Sequence, residues 1–264
     1  MNSGLCKRVD FDKGWLRNAL IEMKCDYMIH KKYWEWAVVF KILMDNYCIK
    51  DGSKGLGFGV GTEPLPALFA KYGCDVLATD APPENEVSRL WDEGDQYMSS
   101  KEVLNDKGIC EEELFLTNVD CRYVDMNAIP EDLHDTFDFT WSAGSFEHIG
   151  GLDKSIEFFR NQMKCLKPGG IGVHVTEYNI SSDDETINAP NMVFFRNKDI
   201  QRMAECIERD GHYMEPVNFN RGDEPDDFEE SKPPFKLGFN TPAITINLFG
   251  HLTTSIVLVV KRGK

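Results

Sequence analysis

The chain has 264 residues, of which 42% are hydrophobic and 11% aromatic, and its formal net charge is −15. That length suits one α/β domain with embellishments, and the apolar content is ample for a core. The negative charge opposes a phosphate-backbone partner, so nucleic acid is not expected, and no apolar stretch is long enough to span a membrane.

In chain order, Phe11–Tyr47 reads as two helices interrupted near Cys25–His30, with Trp34, Ala37, Val38, Lys41, Ile42 and Tyr47 at helical spacing. Its Tyr33, Trp34 and Trp36 are expected to pack onto the domain. Residues 1–52 thus form an N-terminal helical extension, and 53–264 the main domain. The polar region 81–118 is read as an insertion, with weak helical signals near Val87–Trp91 and Ser100–Leu104. Strands follow at Val119–Val124 and Phe137–Ser142, an amphipathic helix at Ser155–Leu166, and a Lys167–Gly170 turn into a strand at Ile171–Thr176. A helix is expected around Asp199–Arg209, and residues 217–240, with the acidic run Asp223–Glu230, read as a second insertion, mobile or a lid. Ile244–Phe249 and Ser255–Lys261 resemble a closing strand pair. This alternation predicts a doubly wound, mostly parallel sheet with helices on both faces and a late antiparallel hairpin.

The most informative stretch is Lys54–Asp80. Gly57, Gly59 and Gly61 alternate through a loop, so the backbone can turn sharply and lie against a ligand. Glu63 and Pro64 suit a helix start, Leu65, Leu68 and Phe69 give that helix an apolar face, and Val76–Ala78 form a buried strand ending at Asp80. An acid about 20 residues beyond a glycine loop is where doubly wound folds grip a ribose, which predicts a nucleoside ligand. The eight cysteines form no CxxC pair, so neither a metal site nor disulfides are expected. Met1–Asp12 lacks the apolar run of a signal peptide, which points to the cytoplasm.

Together these motifs resemble the class I S-adenosylmethionine-dependent methyltransferases, over roughly Lys54–Thr176 and, by topology, the closing strand pair. The resemblance implies a Rossmann-like seven-stranded sheet and S-adenosylmethionine as cofactor, with S-adenosylhomocysteine as product. Gly57, Gly59 and Gly61 correspond to the loop around the methionine portion, Asp80 to the ribose acid, and Asp125 with Met126 to the adenine-reading turn. Phe137–Ile149, which contains Ser142, resembles the fourth motif, and Leu166–Val175 the fifth. Many members carry an acid where this chain has Gly55, so Glu63 or a backbone carbonyl is the candidate holder of the cofactor's amino group. A nicotinamide dehydrogenase is disfavoured because the last glycine of GxGxxG is absent.

Ser142–Gly151 and Gly172–Val175 are also similar to motifs of cyclopropane fatty acid synthases, which would pair Glu147 with His174 around a bicarbonate base. Independently of that likeness, His148 stands on a loop at the carboxyl end of the sheet, where a histidine can deprotonate a hydroxyl acceptor. Glu147 beside it can orient a base, hold an amine or hydroxyl, or bind an ion. Lys31, Lys32 and Arg196 are expected to be solvated surface charges. The resulting expectation is methyl transfer to a small polar acceptor, a hydroxyl favoured and a sugar hydroxyl included. The alternatives are bicarbonate-assisted lipid alkylation and a non-catalytic cofactor-binding or interaction subunit.

Overall fold

The computed structural model describes residues 3–84, 96–182, 185–231 and 242–264. Its strands are β1 (Gly4–Leu5), β2 (Lys54–Phe58), β3 (Asp75–Asp80), β4 (Val119–Tyr123), β5 (Phe137–Ala143), β6 (Leu166–Asn179), β7 (Ile187–Ala189), β8 (Met192–Phe194), β9 (Tyr213–Met214), β10 (Glu230–Ser231), β11 (Thr245–Leu248) and β12 (His251–Lys261). The main sheet runs β11-β12-β6-β5-β2-β3-β4, with the two-residue strands β10, β1 and β9 added at β11 and β12. Pairing is parallel from β6 through β5, β2 and β3 to β4, and antiparallel where β12 meets β6 and β11. The fold is therefore Rossmann-like, α/β and mostly parallel, closed by an antiparallel hairpin.

Helices cover both faces. They are α1 (Gly14–Glu22), α2 (Lys31–Asp45), α3 (Leu65–Lys71), α4 (Glu112–Asn118), α5 (Leu152–Asn161) and α6 (Asn197–Arg209). One core packs α1, α2 and α3 against Trp141, Val173 and Val175, and the other packs α5 and α6 against Phe58, Phe146 and Leu258. Successive residues of β12 divide between them, Val257 and Val259 to the first and Ile256, Leu258 and Val260 to the second, as the two-residue strand period requires.

Helix α2 is fixed at its start by its first two amides. His30 caps it, its Nδ1 accepting from Lys32 N at 3.0 Å, and Lys31 N donates to Ala243 O at 2.8 Å, next to the closing hairpin. Trp34 is buried and its Nε1 donates to Asp10 Oδ2 at 2.9 Å, a packing role.

Several local expectations need correction. The helix expected to reach Leu166 ends at Asn161 and tightens into a 3₁₀ turn, Gln162–Cys165. Leu166 already pairs with Phe137, so the sheet claims it, and Lys167–Gly170 form an irregularity inside β6 rather than a turn before it. A bulge tolerates Pro168, which cannot donate to a regular ladder. The 81–118 region holds helix α4 and a 3₁₀ turn at Glu102–Asn105, while Val87–Trp91 lies outside the described residues. The described part of the 217–240 insertion is fastened rather than loose. Asp227 is buried, and it accepts from Arg8 N at 2.6 Å and from Glu224 N at 3.0 Å.

Candidate active site

At the carboxyl ends of β2, β4 and β5 three loops converge on Gly59. Its φ is +60°, and a Cβ there would stand 2.6 Å from Ser145 Cβ and 2.9 Å from Met126 Cε. A Cβ on Gly57 would meet Trp141 Cζ2 at 2.4 Å. Only glycine serves at these positions, because a side chain would either strain the backbone or displace a packed neighbour. Ser145 Oγ donates to Phe58 O at 3.2 Å and ties the β5 loop to the end of β2.

Asp80 closes β3 and is buried. Its Oδ2 accepts from Gly61 N at 3.2 Å and Met98 N at 3.1 Å, and its Oδ1 from Ala81 N at 2.8 Å. Burial raises its pKa, and these three amides oppose the rise. A carboxylate offers about four acceptor positions, so three amide donors leave room for a ribose hydroxyl. Asp125 is half-buried, accepting from Asn127 N at 2.8 Å, and the buried Met126 beside it supplies apolar surface next to the glycine loop. A close-approach glycine backbone, an acid one strand away and an apolar wall beyond it fit a nucleoside cofactor.

Glu63 is drawn inward, its Oε1 accepting from Trp141 Nε1. Burial pushes its pKa up to about 8 despite that bond and the pull of Lys32.

Beside the glycine loop lies an ionic cluster assembled from three distant parts of the chain. The N-terminal end of α2 supplies Lys31, Lys32 and Glu35, the loop after β5 supplies Glu147 and His148, and β6 supplies Glu177. Lys31 Nζ pairs with Glu177 Oε1, and Lys32 Nζ pairs with Glu35 Oε2 at 2.8 Å while donating to Ala143 O at 3.3 Å. Ser255 Oγ donates to Glu35 Oε1 at 2.6 Å. Three of the cluster's groups lie against Gly144, where a Cβ would stand 2.9 Å from Lys32 Nζ, 3.5 Å from Glu35 Oε2 and 3.7 Å from Glu147 Oε1. Glu147 is 1% exposed, and its Oε2 is buried with no hydrogen-bond partner, as is Glu177 Oε2. Burial, reinforced by Glu177, pushes Glu147 up to about 8. Burial alone would raise Glu35 as well, but Lys32 and Lys31 outweigh it and hold that carboxylate below its usual range.

His148 and His174 differ in kind. The Nδ1 of His148 lies 2.8 Å from Asn191 O; a carbonyl can only accept, so Nδ1 carries the proton and Nε2 the lone pair. That Nε2 is 4.0 Å from Glu147 Oε1. Burial lowers His148 to about 4, with Lys32 and Lys31 contributing. His174 is fully buried among Phe146, Phe158 and Phe159, its Nδ1 2.8 Å from Ser142 Oγ. Burial brings its pKa down to about 3. The structure thus gathers Glu147 with His148 and places His174 and Ser142 together in an aromatic core.

The expectation of surface charge fails for Lys31 and Arg196, which are 5% and 2% exposed. Lys31, Glu35 and Glu177 were not singled out as site residues. Two signals were available: Glu35 is an acid inside an apolar helical run, and Glu177 directly follows the expected strand Ile171–Thr176, all of whose residues are buried.

No protein-family model matches the chain, and no curated protein matches it by sequence. Solved structures do. An S-adenosylmethionine-dependent methyltransferase from Mesorhizobium loti is 14% identical with a TM-score of 0.51, covering 86% of this chain and 97% of its own. A Burkholderia thailandensis 1,6-didemethyltoxoflavin-N1-methyltransferase, with 1,6-didemethyltoxoflavin and S-adenosylhomocysteine bound, is 14% identical with a TM-score of 0.50, covering 97% and 87%. The [4+2]-cyclase SpnF is 12% identical with a TM-score of 0.53, covering 99% of each chain. The fold of this chain is that of the class I S-adenosylmethionine-dependent methyltransferases.

Proposed function

We propose that the chain is an S-adenosylmethionine-dependent methyltransferase acting on a small polar acceptor. The observation that carries this reading is the glycine loop, where Gly57 and Gly59 face close approaches and Asp80 stands one strand away beside an ionic cluster. The cofactor supplies a methyl group on a good leaving group. In this reading the backbone of Gly57, Gly59 and Gly61 lies along its methionine portion, Asp80 accepts from a ribose hydroxyl, and Asp125 with Met126 borders the adenine. Glu63 receives the amino group that an acid at position 55 would otherwise hold. The acceptor sits by Gly144, where alignment and exclusion of water do most of the work.

A hydroxyl acceptor, on a sugar or elsewhere, would rely on the lone pair of His148 Nε2. The fixed tautomer supports that role, and a pKa near 4 weighs against it, because so weak a base gains little from a hydroxyl proton. Bicarbonate-assisted alkylation is disfavoured by the aromatic surroundings of His174. We assign His174 and Ser142 to packing. A second reading, a protein of this fold whose chemistry is not methyl transfer, is favoured by the likeness to a cyclase.

The cofactor assignment is tested by thermal unfolding with and without S-adenosylhomocysteine. A ligand that binds only the folded state raises the midpoint with concentration. A midpoint that does not move for wild-type protein would remove the assignment.

A further inference from the structure

We infer that Glu35 and Glu147 beside Gly144, together with the Lys31-paired Glu177, form a seat for a positively charged nitrogen, so that the acceptor is an amine. The inference rests on the methyl-transfer reading and names the substrate class of the same site.

Charge and orphaned atoms carry it. Glu35 pairs with Lys32 and Glu177 with Lys31, which leaves the third carboxyl, Glu147, without a cationic partner. His148 does not supply the missing charge, since burial holds it neutral at physiological pH. Glu63, reaching the cluster from the glycine loop, adds a further carboxyl. Two buried oxygens, Glu147 Oε2 and Glu177 Oε2, accept no hydrogen bond. A buried carboxylate without donors is costly, and an N⁺–H donor is the group that satisfies it best.

The three acceptor classes can be ranked on these grounds. An anionic acceptor would meet three carboxyls and two ammonium groups that are already paired. A neutral hydroxyl could donate one hydrogen bond but would offer no counter-charge to an ionised Glu147. An ammonium does both at once. The raised pKa of Glu147 agrees, because a proton currently stands in for the absent cation. Access is by Gly144 and Ser145, both half-buried, and by the Lys32 side chain, 28% exposed. Binding of the ammonium displaces the Glu147 proton to solvent, and for transfer the ammonium passes one of its own protons to the Glu147 carboxylate so formed. The freed nitrogen lone pair then forms the bond to the methyl carbon as the carbon–sulfur pair leaves on sulfur.

The test is a carboxyl titration of protein carrying ¹³C-labelled glutamate, in methylammonium chloride and in sodium chloride of equal ionic strength. Glu147→Gln assigns the signal. Methylammonium should lower the Glu147 midpoint by about one unit or more, a tenfold loss of proton affinity, relative to sodium. The same midpoint in both salts would overturn the seat. Titrating the same sample with S-adenosylhomocysteine keeps the two questions apart. Cofactor binding without a methylammonium effect removes the amine seat alone. A methylammonium effect without cofactor binding leaves a cation site and removes the methyl-transfer reading.

Discussion

Replacing Glu147 with glutamine keeps the shape of the side chain and removes its ionisation, which isolates the cost of burying that carboxyl. In the folded chain burial and Glu177 raise Glu147 from an ordinary 4.5 to about 8. A carboxyl whose pKa is raised on folding stabilises fully below its unfolded value, and that contribution is lost as pH rises through the window from 4.5 to about 8. Each unit corresponds to about 1.4 kcal/mol, so wild type should lose roughly 3 kcal/mol relative to the glutamine variant by neutral pH and roughly 5 kcal/mol above the window. Glu63 titrates over a similar range but is common to both proteins, so the difference between them cancels its direct effect. Urea unfolding of both proteins across this pH range measures that difference directly. A stability difference that stays flat with pH, or a variant that becomes the less stable partner at alkaline pH, would refute the argument.

Other substitutions test the remaining parts of the site. Gly59→Ala places a Cβ against Ser145 and Met126 at a left-handed φ. It should cost about 1–3 kcal/mol in stability and weaken S-adenosylhomocysteine by tenfold or more, and an unchanged affinity would separate the loop from the cofactor. Asp80→Asn keeps the size of the side chain but removes its charge. Loss of charged hydrogen bonds worth about 1.5–3 kcal/mol should weaken binding roughly 10-fold to 150-fold in a calorimetric titration. His148→Gln should leave cofactor affinity intact, and if Nε2 accepts the acceptor's proton, turnover should fall by about 100-fold. Equal turnover would make His148 a packing residue of the loop. His174→Gln should lower thermal stability through the aromatic core and leave cofactor affinity at the wild-type value; a selective loss of affinity would return His174 to the site.

The parts of this protein that read clearly from sequence are those whose physics is local. The Gly57–Gly61 loop, the helix after it and Asp80 lie within one β-α-β span, so spacing alone places them. The sheet topology followed from alternating strand and helix signals for the same reason. The ionic cluster did not, because Lys31 and Glu177 are 146 residues apart and meet only when α2 packs against the ends of β5 and β6. Nor could the sequence separate the faces of β6. Both are buried, so Val173 and His174 look alike in an apolar run, although one belongs to the α2 side and the other to the α5 side. The break at Lys167–Gly170 misled for a related reason: proline and glycine mark a turn locally, whereas pairing of Leu166 with Phe137 absorbs them as an irregularity within the strand.

The most direct test of the account is calorimetric titration of the folded protein with S-adenosylmethionine and S-adenosylhomocysteine, with NAD alongside. Saturable binding of both sulfur nucleosides, weakened in Asp80→Asn and absent for NAD, is the predicted result. Heat of binding from NAD alone, or from none of the three, would contradict the claim that Gly57–Gly61 and Asp80 hold this cofactor.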